Sequence, residues 1–221
     1  MEENWKNRMN NSLNSKTFGN YLLSIGIVAV LAFIFLLIFF WGYSNNMPSL
    51  YIFGSINDVL GSLEAILSAT LATVLLFSKS KRWIWLYLIG AVLSWIGAFI
   101  VMLDSLMAGG MLSRSSASIL RIKYGFPSLL TMHDLDFGFG LIGIWLVILN
   151  VQAIQNKAWP NRFIILGFIS GLLMAIGLND SPAALGFVFL YPIWCIWLGR
   201  YILRSVNEQH TNQAGFSGEN T

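Results

Sequence analysis

Between Tyr21 and Tyr43 the chain carries no charged side chain. This is the first of a series of apolar runs, most of them near the roughly 20 residues a helix needs to cross a hydrocarbon core. Nothing constrains the fold more, because backbone amides and carbonyls inside a bilayer find no water and must be satisfied within the helix itself. Composition agrees: 56% of the 221 residues are hydrophobic and 10% are charged, against about 25% charged in soluble domains. No Gly/Ser-rich linker or acidic block divides the chain, which reads as one domain.

The runs extend over Tyr21–Tyr43, Asn57–Phe77, Trp83 to about Met107, Asp136–Asn156, Phe163–Leu178 and Ala183–Leu203. The first exceeds the apolar core of about 7 to 15 residues found in a secretory signal, so it reads as a retained helix. The expected fold is therefore an all-α, polytopic membrane helix bundle with six transmembrane helices. Polar tails, 1–20 and 205–221, flank a transmembrane domain at 21–204; the second tail lacks apolar periodicity and is expected to be without ordered structure. Pro192 falls inside the sixth run, where it predicts a kink. Gly167 and Gly171 in the fifth have the GxxxG spacing that permits close helix contact. Asn179–Pro182 reads as a tight turn into the sixth helix. Between Ala108 and Met132, Ile119, Leu120 and Ile122 interleave with Arg121 and Lys123, which fits a short interfacial helix or an exposed loop.

Basic residues set the orientation. Lys6, Arg8, Lys16, Lys79, Lys81, Arg82, Lys157, Arg162, Arg200 and Arg204 fall on one side of the spans, and Arg114, Arg121 and Lys123 on the other. Positive-inside puts both termini in the cytoplasm. The net charge of +3 comes from these clusters beside apolar runs, not from a basic face, and argues against a nucleic-acid partner. The single cysteine, Cys195, excludes an internal disulfide or a CxxC motif.

One carboxylate stands out. Glu64 lies roughly 10 Å along the second helix from Asn57, at 1.5 Å per residue. An acid that deep costs at least about 2.5–3.5 kcal/mol on insertion scales, so it is expected to face the protein and to be functional. Asn57, Gly61, Glu64 and Ser68 share one helical face, while Val59, Leu63, Ile66, Leu67 and Val74 cover the other. The third helix repeats the pattern with Gly90, Ser94, Gly97, Val101 and Asp104. The fourth does so with His133, Asp136, Gly140, Gly143, Val147 and Asn150. Converging, these faces would enclose a polar cavity open to the outside. Asp58, Asp104, His133 and Asp136 would stand at its mouth, with Glu64, Ser68 and Ser94 at its floor.

Plainer readings stand beside this one. Glu64 reads equally as a protonated acid hydrogen-bonded to a serine of a neighbouring helix, and Asp58 and Asp136 as helix-end acids suited to the dipole. The Trp and Tyr residues read as interfacial belt or packing. No GxSxG, Walker-type, HExxH or Ser/His/Asp pattern occurs, and His133-Asp-Leu-Asp136 has no second histidine near it. No cofactor or metal site is expected.

The segments LGSLEAIL from Leu60, AWPNRFIILGFISGLLMAIGL from Ala158 and IWCIWLGRYIL from Ile193, in this helix order, resemble an uncharacterised family of six-helix bacterial integral membrane proteins. The resemblance covers nearly the whole chain and implies a bacterial cytoplasmic membrane and no particular reaction. In that family the last helix often carries a carboxylate shortly before its Trp-Leu pair; this chain departs from it with Tyr191 and Pro192. The leading expectation is a protein that binds or transports a small polar or cationic solute, its partners being the lipid bilayer and that solute. An intramembrane enzyme acting on a lipid through His133, and a non-catalytic partner or sensor subunit, are the alternatives.

Overall fold

The computed structural model describes residues 2–50, 52–78, 84–108, 134–156, 158–176 and 189–217. They form helices α1 (Glu2–Ser44), α2 (Ile52–Ser78), α3 (Ile84–Ala108), α4 (Asp134–Asn156), α5 (Asn161–Ile176) and α6 (Tyr191–Ser217). A 3-10 turn, Pro48–Leu50, joins α1 to α2. Among the described residues there is no strand. Segments Ser15–Ser44, Pro48–Leu75, Ile84–Leu106 and Phe137–Gln155 are long and apolar enough to cross a membrane; α5 is apolar but shorter. Ile27, Leu37, Phe40, Val59, Ile89, Phe99, Ile154 and Ile165 are exposed. An apolar exterior of that extent is what a lipid-facing surface requires and a water-facing one avoids. The chain is an all-helical protein with the features of a membrane protein.

Each helix packs against its neighbour in sequence, and α6 returns to pack against α1, so the six form a ring in chain order. The return is antiparallel: Gly19 of α1 meets Leu203 and Gly199 of α6, and Gly26 meets Pro192 and Ile196. The start of the α1 span and the end of the α6 span therefore lie at the same end of the bundle. Among the described residues the α5–α6 seam is the loosest join in the ring.

Local chemistry explains the ends and the pairings. Asn46 takes a positive φ of 52°, the Met47 amide reaches the Gly42 carbonyl at 2.8 Å, and the Asn46 amide reaches that of Tyr43 at 3.2 Å. Those bonds cap α1 as a Schellman motif, with Asn in the left-handed position usually taken by glycine. In α2, Ser68, Thr70 and Thr73 each donate to the carbonyl four residues back, which keeps their hydroxyls satisfied away from water. The α2–α3 pair is fastened by Ser62 Oγ donating to Ser105 Oγ at 2.7 Å and by Trp95 Nε1 donating to Thr73 Oγ1 at 2.8 Å. Bonds of this kind average about 0.6 kcal/mol in membrane bundles, so close backbone packing must carry the rest. It does so at glycines: Gly97 sits against the backbone carbonyl of Gly138, and Gly143 against that of Gly171. The GxxxG expectation holds in detail, with Gly167 against Asn150 and Trp194, and Gly171 against Gly143 and Val147.

One expectation is corrected. The tail after Arg204 is helical through Ser217; extending an existing helix avoids the cost of nucleation, and the Arg204–Glu208 pair at (i, i+4) adds to it. Pro192 is the second residue of α6 and directly follows a π-helical turn at 189–190; the earlier part of the expected sixth helix, 183–188, lies outside the described residues. The Asn179–Pro182 turn and the interleaved segment at 119–123 lie outside the described residues.

Candidate functional site

The inward face of α2 is settled by burial. Glu64 is 3% exposed and Ser68 fully buried, whereas Val59 is 64% and Leu63 42% exposed. Ile66 and Leu67 are partly buried against the core. On α3 the expected face is also the buried one, with Gly90, Ser94, Gly97 and Val101 inside and Asp104 at its half-buried end.

Around Glu64 the structure assembles a polar cluster from two helices remote in sequence. Ser68 Oγ donates to the Glu64 backbone carbonyl at 2.8 Å, and lies 2.7 Å from the Tyr191 hydroxyl. With the serine proton committed to the carbonyl, the phenol is the donor to Ser68. Tyr191 and Cys195 stand one turn apart on α6, both fully buried, and both lie within electrostatic reach of the Glu64 carboxyl. Glu64 Oε1 itself is buried without a hydrogen-bond partner among the described residues. Such an atom costs about 1–3 kcal/mol, so a chain that keeps it has a use for it or supplies its partner from outside.

Space is available next to it. A side chain added at Gly61, three residues before Glu64, would meet no atom of the described residues within 4 Å. Three residues further toward the same helix end, Asp58 is half-buried; Asn57 Nδ2 donates to its Oδ1 at 3.4 Å, and Ser105 Oγ reaches its backbone carbonyl at 2.9 Å. Asp104, beside Ser105, lies within electrostatic range of the Asp58 carboxyl. The foreseen mouth acids of α2 and α3 thus share one end of the bundle. Asp136 is in the first turn of α4, which runs antiparallel to α3; its side chain, and His133 altogether, lie outside the described residues.

The fourth helix does not contribute as expected. Its Gly143 turns to Gly171 and Met174 of α5, as do Val147 and Asn150 to Gly171 and Gly167. Small residues in a bilayer gain more from close helix contact than from lining a cavity. Trp145 fills the space over Gly90, at 2.7 Å from where a Cβ would stand. Ser94 is buried with an unpartnered hydroxyl and no bond to Glu64. Among the described residues, then, no serine of a neighbouring helix is hydrogen-bonded to the Glu64 carboxyl.

Tyr191 and Cys195 are site residues that periodicity did not single out. The signal available was a tyrosine inside an apolar run, whose hydroxyl must find a partner when buried; reading such residues as interfacial belt hid it. That reading does fit Trp85 and Trp197, which are exposed, while Trp194 is packing, its Nε1 donating to the Phe163 carbonyl at 2.8 Å. Among the described residues no three His, Cys, Asp or Glu side chains come together to hold a metal ion. No family model matches the chain, and neither a curated protein nor a solved structure matches it.

Proposed function

We propose that this chain binds a small cationic or hydrogen-bonding solute at Glu64 and passes it through the membrane by way of a polar site reached from the outer face. The observation that carries the reading is the buried, unpartnered Glu64 Oε1 beside the open space at Gly61. A cation or a donor N–H arriving there would satisfy it. Ser68 and Tyr191 supply hydroxyls on one flank, and Asp58 with Asp104 give the approach a negative potential. On this reading all six helices span, both termini are cytoplasmic, and the membrane is the cytoplasmic membrane of a bacterium, as the resemblance to the six-helix family implies. The ring order, with α1 antiparallel to α6, supports an even number of crossings.

The test is ligand-dependent stability of the purified protein in a neutral detergent. Methylammonium, tetramethylammonium and choline are titrated against wild type and Glu64→Gln. At least one is expected to raise the Tm of wild type by several degrees and to leave Glu64→Gln unmoved. Equal shifts in both proteins, or none in either, would remove Glu64 as the binding group.

A further inference from the structure

At the end of the bundle opposite Asp58 and Asp104, α5 and α6 part to leave a cleft of about 1020 Å³. Its walls carry Arg162 and Phe163 from the first turn of α5, and Trp197, Arg200, Tyr201 and Arg204 from successive turns of α6. The Arg162 guanidinium lies over the rings of Phe163 and Trp197, at 4.9 and 5.8 Å from their centroids. Phe163 stacks edge-on against Trp197 at 5.8 Å and tilts against Tyr201 at 5.1 Å. The aromatic floor holds Arg162 in place while its edge N–H groups remain available. Arg204 Nε is 3.2 Å from Glu208 Oε1, both side chains being well exposed, so that pair is weak. Arg162 and Arg200 have no acidic partner among the described residues. Three guanidinium groups therefore face one carboxylate across a single opening, and two of them are unneutralised.

We propose that this cleft holds the phosphate of an anionic membrane lipid. Arginine's planar fork matches phosphate oxygens bidentately, and basic pockets between transmembrane helices are suited to anionic headgroups. Half-exposed Trp197 and Tyr201 mark the interfacial level at which a headgroup sits. Toward the bundle centre, exposed Ile165, Ile169 and Ile193 on α5 and α6 offer apolar surface for acyl chains. The location is also where the described residues of the ring pack least, at the α5–α6 seam. A lipid held by Arg162 on one helix and by Arg200 and Arg204 on the other would bridge the two. This site is independent of the one at Glu64.

The experiment measures Tm in nanodiscs of phosphatidylcholine alone and with phosphatidylglycerol or cardiolipin added, with inorganic phosphate in phosphatidylcholine discs as a separate arm. Wild type is expected to gain roughly 5–10 °C from the anionic lipids at saturating levels and nothing comparable from phosphate. Arg162→Gln with Arg200→Gln should lose that gain while matching wild type in phosphatidylcholine, since both side chains are exposed. Arg200→Lys, which keeps the charge without the fork, should retain part of it. Phosphate stabilising as well as lipid would show a free-anion site and overturn the lipid assignment. The same gain in the double Gln variant, or no gain in wild type, would overturn the site itself.

Discussion

Gly97→Leu is expected to prevent assembly of the folded bundle. A Cβ at residue 97 would press directly on the carbonyl oxygen of Gly138, with Ile142 and Leu141 at 3.3 Å beside it. The reciprocal contact is as tight, since a Cβ at Gly138 would lie 2.7 Å from the Gly97 carbonyl. Both obstacles are backbone, so no rotamer change relieves them, and α3 and α4 would have to separate along their length. Overpacking a core costs about 1–3 kcal/mol when side chains can yield; here the cost should exceed that range, because close helix contact replaces hydrophobic driving force inside a bilayer. The control is Gly61→Leu, where no atom of the described residues stands within 4 Å of an added Cβ. It should change stability by no more than about 0.5 kcal/mol. Gel filtration and thermal melts in detergent separate the outcomes: aggregation or a collapsed Tm for the first, wild-type behaviour for the second. A monodisperse Gly97→Leu protein with unchanged Tm would contradict the described α3–α4 contact.

Glu64 should give the opposite pattern, a gain in stability with a loss of function. Because Oε1 is unpartnered, Glu64→Leu removes a desolvated polar group without breaking a side-chain bond. Ser68 keeps both the residue 64 carbonyl and Tyr191. The gain should be about 1–3 kcal/mol, a little less for Glu64→Gln, which retains polar atoms. Both variants should lose amine-dependent stabilisation. Tyr191→Phe, in contrast, removes the donor to Ser68 and should cost about 1 kcal/mol. Equilibrium unfolding in mixed micelles checks all three. A marked loss of stability in Glu64→Leu would show that the carboxyl is a structural hydrogen-bonding group, and the binding reading would fail with it.

The span limits were readable from the sequence because apolar runs and polar connections alternate sharply: Asn57–Phe77 became Ile52–Ser78, and Trp83 to Met107 became Ile84–Ala108. The inward faces of α2 and α3 were readable for the same reason, since Glu64, Ser68, Gly90 and Ser94 recur at helical spacing among branched aliphatics. What periodicity could not say is which neighbour a small-residue face meets. Gly140 and Gly143 looked like cavity lining, but glycines serve close helix contact equally well, and Gly143 met α5. Nor could it bring Tyr191 to Ser68 across 123 positions, because that contact depends on α6 returning to close the ring. The helix beyond Arg204 escaped notice because it has no apolar stripe; it inherits its nucleus from the span before it.

The most direct measurement places one cysteine at Gly61, in a Cys195→Ser background, and compares a trimethylammonium with a sulfonate methanethiosulfonate reagent added to the outer face of intact cells. Ser116→Cys and Ser80→Cys, outside and inside on the proposed topology, serve as references, and Val59→Cys reports the exposed side of α2. If Glu64 lies on a water-reached polar site that favours cations, Gly61→Cys should react from outside, the cationic reagent roughly tenfold faster. That preference should vanish with Glu64→Gln, and Val59→Cys should stay inert. Labelling of Gly61→Cys only from the side that labels Ser80→Cys, or a rate indifferent to reagent charge and to Glu64→Gln, would contradict the account.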